Sequence, residues 1–255
     1  MRFEKTQRGN PHQLVVQQHV FPLVSIERFC SPRRRVEVCQ LGKNKTMTLK
    51  PEDQLFCAQR AWNNVVETGR FKRIEDAFQP LASRLADGTL STIDARHAQT
   101  INEFFALCYY RAESRAHPAP DQRLDILGTR ERYSRDKMEI LEKNGYACVR
   151  PDGTLPGRHF AAIRAHFQII AMQRALAGVR WRLIRSAGAE FIVPDPFPDV
   201  AVMPIAPDVC LCGGEGPDGD ADADGVTALN TLLAGASRKY YFARQLQRCP
   251  RQSTY

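Results

Sequence analysis

The chain has 255 residues, 43% of them hydrophobic and 25% charged, with a formal charge of +8. Those values exclude a disordered chain, and no apolar run approaches the length of a membrane span. Eight cysteines at irregular spacing, behind an N-terminus too polar for an export signal, read as reduced thiols of a cytoplasmic protein.

The charge is polarised. Residues 1–50 hold ten Lys and Arg against three Glu, a net of +7. Residues 195–225 hold eight Asp and Glu and no Lys or Arg, a net of −8. A basic front of this kind steers toward nucleic acid or an acidic protein surface, and an acidic back toward a basic one.

Taken in chain order, "VVQQHVFP", "RRVEVCQL" and "KTMTL" in 14–50 alternate polar with β-branched residues and predict short strands. "KPEDQLFCAQRAW" opens on Pro51 and two acids, a helix-start pattern. "RIEDAFQPLASRLADG" places Ile74, Phe78, Leu81 and Leu85 at helical spacing. Pro80 predicts a kink or break within it. "STIDARHAQTINEFFALCYYRAESR" predicts a long helix, with Ser91 and Asp94 as a capping pair. Its buried face is Ala98, Ile101, Phe105, Cys108 and Ala112.

Residues 121–143 read as a charged helix offering Leu124, Leu127, Met138 and Leu141 to a core, then one short strand. Residues 157–177 read as an amphipathic helix with Phe160, Ile163, Phe167 and Ile170 inward. "VRWRLIRS", "AEFIVP", "VAVMPIAP" and "DVCLCGG" predict three or four strands. "VTALNTLLAGASRKYYFARQLQR" predicts a closing helix with Val226, Leu229, Leu233, Ala236 and Tyr240 on one stripe. The expected fold is a single α+β domain: strand-rich 14–50, helical 51–177, strand-rich 179–213, an acidic loop 213–225 and a helix over 226–247. The two strand groups could share one sheet.

No nucleotide loop, serine elbow or zinc-finger spacing is present, so no cofactor is expected. Cys210 and Cys212 have one residue between them and read as core thiols. His159 and His166 could share a helix face but lack a carboxylate partner. "PDGDADADG" carries Asp218, Asp220, Asp222 and Asp224 on alternate positions, close to the opening of a calcium loop. Counted from Asp220, the twelfth position is Thr231, where such a loop needs a bidentate Glu. Capping of the last helix by Asp222 or Asp224 is the better reading, and no metal is expected there.

"HVFPLVSIERF", residues 19–29, resembles the N-terminal signature H-Y-V-P-x-x-Y-L-x-x-F of a widespread bacterial and phage family of unknown function. His19, Pro22, Ile26 and Phe29 hold the spacing; Val20 and Ser25 replace the tyrosines. "RFKRIEDAFQPLASRL" is similar to its helix with an Ile-Glu pair, here Ile74 and Glu75. "RWRLIRSAGAEFIVPDPFPDV" is similar to its strand ending near Asp-x-Pro, with Asp195 at the Asp position and Pro198 one residue late. "ALNTLLAGASRKYYF" is similar to its closing helix, with Asn230 in place. The resemblance implies a bacterial or mobile-element origin and an α+β fold, without implying a reaction.

Three functions follow as expectations. The first is a binding or inhibitory protein acting on a protein or ribonucleoprotein complex, in the manner of anti-defence and anti-CRISPR proteins. Its contacts would be Arg28, Arg33, Arg34, Arg35, Lys43 and Lys45 at the basic front, and Asp218, Asp220, Asp222 and Asp224 at the acidic segment. The second is a metal-dependent hydrolase or nuclease in which His19, Glu75 and Asp195 converge on a divalent ion. Its structural alternative has His19 bonded to backbone, Glu75 paired with an arginine and Asp195 capping a turn. The third is non-specific nucleic-acid binding through residues 28–50.

Overall fold

The computed structural model describes residues 4–43, 45–124, 133–216 and 218–252. The chain opens on β1 (Gln17–His19) and a short helix α1 (Leu23–Glu27). β2 (Val36–Gln40) and β3 (Lys45–Leu49) form a hairpin in which Val36 faces Leu49 and Gln40 faces Lys45. β4 (Cys57–Gln59) pairs with β1, antiparallel. α2 (Asn64–Val66), a π-helical turn over Glu67–Phe71 and α3 (Lys72–Ala86) run on from one another. α4 (Ala95–Ala116) follows. β5 (Gln122–Arg123) and β6 (Thr154–Leu155) make a small ribbon on either side of α5 (Arg135–Lys143). α6 (Ala161–Ala175) leads into β7 (Trp181–Ser186), β8 (Val193–Pro194), β9 (Val202–Ala206), β10 (Val209–Gly213) and β11 (Gly219–Ala221). α7 (Ala223–Ala236) and β12 (Tyr240–Ala243) complete this α+β fold.

Two four-stranded sheets organise the molecule. One has the order β3-β2-β12-β8 and joins strands from both ends of the chain, as the sequence allowed. The other has the order β11-β7-β10-β9. α4 is the central helix, buried at Ile101, Phe104, Phe105, Leu107, Cys108 and Ala112. The main core gathers aromatic rings. Phe242 lies 5.4 Å from Phe56 and 5.8 Å from Phe29 between ring centres, and Phe78 stacks on Phe104 at 3.7 Å. Each fully buried Phe contributes roughly 2–3 kcal/mol through area removed from water. Among the described residues no helix is long and apolar enough to cross a membrane.

Several expectations are corrected. Pro51 does not open a helix. The Asp53 side chain accepts from the Leu55 N–H at 2.9 Å, a local turn that competes with helix, and Cys57–Gln59 is drawn into the ladder with β1. Pro80 does not break α3. It sits on the exposed face, where water can satisfy the carbonyl that its missing N–H leaves free. The capping box of α4 is made by Asp94 with His97, not by Ser91 with Asp94.

The charged helix is shorter than expected, running from Arg135 to Lys143, and Gln122–Arg123 is strand. Residues 125–132, with Leu127, lie outside the described residues. The short strand expected after Gly145 forms only at Thr154–Leu155.

α6 turns a different face inward. It buries Ala161, Ala165 and Ile169, while Ile163 and Phe167 remain 58% and 66% exposed. Small residues let α6 approach α4 closely, close enough for the Tyr110 hydroxyl to donate to the Ala161 carbonyl at 3.0 Å.

The closing helix stops at Ala236. Tyr240–Ala243, fully buried, becomes β12 inside the first sheet, as an aromatic run favours. The acidic loop also contains a strand, β11, parallel to β7.

Candidate functional site

His19, Glu75 and Asp195 do not meet at a metal. Among the described residues no three His, Cys, Asp or Glu side chains are grouped to hold one. His19 lies at the end of β1, and its Nε2 pairs with the Pro51 carbonyl at 3.1 Å. Burial pushes this imidazole below its usual range, so the neutral ring is favoured. Glu75, on α3, pairs with Arg111 at 2.6 Å. Burial pushes its carboxyl up, and the Arg111 charge opposes that only in part. Asp195, just after β8, accepts from the Arg238 and Lys239 N–H groups at 2.6 and 3.1 Å and pairs with Arg115 at 2.7 Å. It fixes the turn between α7 and β12. All three side chains therefore do what the structural alternative expected of them.

Their partners reveal what the sequence did not show. Arg111 and Arg115, one turn apart on α4, are anchors of the interior. Arg111 is 1% exposed and pairs with Glu67 at 2.9 Å as well as with Glu75. Its guanidinium lies over Trp62 and Phe71, at 5.6 and 5.1 Å from the ring centres. The Trp62 indole N–H donates to Glu67 at 2.6 Å. Glu67 stands on the π-helical turn, a local irregularity that aims its carboxylate at Arg111. A second group of ion pairs joins Glu4, Arg60, Glu142, Arg150 and Arg158. These arginines carry no motif spacing, so only the fold brings them together.

The basic front divides into structural and surface residues. Arg28 is not a surface contact. Its guanidinium donates to the Ile205 carbonyl at 2.9 Å and to Gln79 at 2.6 Å, and burial lowers its pKa to about 10. Arg34 adopts a left-handed backbone, φ +54°, in the turn before β2 and pairs with Glu27 and with Glu52. Arg33, Arg35, Lys43 and Lys45 are exposed, and among the described residues none pairs with a carboxylate. Arg35 precedes β2, and Lys43 and Lys45 flank the start of β3. The two cationic ends of this hairpin stand roughly 15 Å apart along the strands, further than the Debye length of about 8 Å at physiological salt. They act as separate contacts on one sheet edge, with β3 outermost.

The acidic segment divides in the same way. Asp218 accepts from the Leu183 N–H of β7 at 2.7 Å. Asp222 caps α7, accepting from the Gly225 N–H at 2.8 Å. All four aspartates are exposed, and Asp220 and Asp224 hold no backbone N–H among the described residues. β11 forms the outer edge of the second sheet, whereas the basic hairpin forms an edge of the first. Among the described residues no ion pair links the two poles, so they do not neutralise one another by direct contact.

Cys210 and Cys212 are buried with their sulfurs 3.8 Å apart. His166 pairs with Arg70 at 2.7 Å. No protein-family model, curated protein or solved structure matches the chain.

Proposed function

We propose that the chain is a binding protein that docks by charge on a nucleic-acid-containing complex. Its contact is the edge hairpin that presents Arg33, Arg35, Lys43 and Lys45. The observation that carries this reading is that these four cations are exposed and, among the described residues, pair with no carboxylate, while Arg28 is turned inward and Arg34 is taken up by Glu27 and Glu52. Arginine and lysine without interleaved aromatic side chains suit phosphate contact more than base readout. Sequence-independent, salt-sensitive binding follows. In this reading the chain is inhibitory, the hairpin covering the nucleic acid of a host defence complex of the CRISPR type.

The test is fluorescence anisotropy with mixed-sequence single- and double-stranded oligonucleotides across a salt series. Binding of similar strength to every sequence, weakening steeply with salt, is expected. The variant carrying Arg33→Ala, Arg35→Ala, Lys43→Ala and Lys45→Ala should lose affinity for all sequences alike.

A further inference from the structure

The basic hairpin makes no use of a cleft of about 310 Å³ between β4, the C-terminal end of α4 and the segment 150–158. That volume lies at the lower end of small-molecule sites. Arg60, Arg115, Arg150 and Arg158 line it, together with Glu4 and Asp121. Ala58, Ala61, Pro118 and Ala119 add an apolar wall. The lining thus carries four guanidinium groups against two carboxylates.

Two of the balancing carboxylates, Glu4 and Asp121, line the cleft and both pair with Arg150, at 2.9 and 2.5 Å. Two more lie outside the lining. Glu142, on α5, pairs with Arg60 at 2.6 Å and with Arg158 at 2.9 Å. Asp195 holds Arg115. Both orient guanidinium groups without filling the space in front of them. Arg60 is the most constrained of the four. Its side chain is 3% exposed, its backbone is left-handed at φ +46°, and its Nε is buried with no partner among the described residues. The Arg111 Nε is likewise buried without one, so it is the left-handed backbone beside the cleft that sets Arg60 apart.

Glu4 shows which chemistry the cleft accepts. One oxygen of its carboxylate takes hydrogen bonds from Arg150 at 2.9 Å and Arg158 at 2.5 Å. This is the bridging geometry that a carboxylate or phosphate head group adopts between two arginines. The segment carrying Glu4 is pinned to α5 independently, through Gln7 to Glu139 and His12 to Asp136. Glu4 can therefore leave the arginines without releasing the segment.

We propose that this cleft binds a small organic anion, a carboxylate or phosphate on an apolar body, and that the Glu4 side chain competes with it for Arg150 and Arg158. The arginines bind and orient the head group, and the alanine and proline wall accepts the body. Although burial alone would raise the Glu4 carboxyl, Arg158 and Arg150 hold it at about 2, so this position favours a full negative charge near neutral pH.

Calorimetric titration of the whole chain with phenyl phosphate, benzoate and neutral phenol tests the proposal. Saturable binding of phenyl phosphate or benzoate, with no response to phenol, is expected, and the stronger of the two anions identifies the head group. Arg150→Gln should weaken binding at least about tenfold, the effect of losing a charge-assisted contact. Glu4→Gln should tighten it several-fold, and the four-alanine hairpin variant should leave it unchanged, separating this site from the hairpin. If Arg150→Gln does not fold, the gain from Glu4→Gln decides alone. No saturable response to either anion, an equal response to phenol, or an affinity that Glu4→Gln does not raise would overturn the proposal.

Discussion

The two clusters of arginine and carboxylate use the same residue types to different ends. Around Arg111 the guanidinium is sealed between Glu67, Glu75 and the rings of Trp62 and Phe71. Around Arg60, Arg150 and Arg158 the ion pairs, with Glu4 and Asp121 among them, border an open cleft of about 310 Å³. The first arrangement is cohesion of the fold; the second leaves charge turned toward a cavity. Buried charge alone therefore does not mark a binding site. What the charge faces decides.

The largest expected effect sharpens that contrast. Arg111→Met should cost about 3 kcal/mol in urea unfolding, because the partly buried Glu67 and Glu75 carboxylates lose their cation. Adding Glu67→Gln and Glu75→Gln should recover part of that loss. A cost below about 1 kcal/mol would break the comparison, since exposed pairs cost that little.

The cleft cluster should show itself in acid. His159 packs beside it, and burial, with the Arg158 charge, lowers its pKa to about 4 from an ordinary 6.5. Its depressed value means that the unfolded chain takes up a proton first as the pH falls. Stability should therefore decline from pH 6.5 toward pH 4, by roughly 2 kcal/mol, and His159→Gln should flatten that decline in unfolding curves. Glu4, held at about 2, acts in a lower window. Its contribution is complete above pH 4.5 and is lost as the pH falls toward 2, a loss that Glu4→Gln removes.

Asp222→Ala should cost about 1 kcal/mol by removing the N-cap of α7. Micromolar calcium uptake by the same segment would contradict its role as a cap and an edge strand. The smallest effect on stability belongs to the surface: the four-alanine hairpin variant should unfold within about 0.5 kcal/mol of the parent, as exposed substitutions do.

The contrast between local and long-range signals also explains what the sequence could disclose. β2, β3, β7, β9 and β10, the helices α3 and α4 and the Asp222 cap are written in nearby residues, through alternation, helical spacing and capping chemistry. The inward face of α6 was not legible, because close packing against α4 favoured Ala161 and Ala165 over the larger Ile163 and Phe167. β12 was hidden because "YYFA" continues a helical stripe, and only its partners β2 and β8 make it a strand. The structural roles of His19, Glu75 and Asp195 were anticipated in kind, but Arg111 and Arg115 as their neighbours were not. The four cleft arginines come from positions 60 to 158 with no common spacing, and no local pattern joins them. Of the basic front, composition gave the charge but could not separate Arg28, turned inward, from Arg33 and Arg35, turned outward.

The central claim is docking by charge through the β2–β3 edge, and the salt dependence of oligonucleotide binding tests it most directly. The account predicts a linear fall of log affinity with log salt concentration. It also predicts that replacing Arg33, Arg35, Lys43 and Lys45 by alanine reduces the slope by roughly 3, at about 0.7–0.9 per phosphate contact. No binding at low salt, or an unchanged slope in that variant, would contradict it.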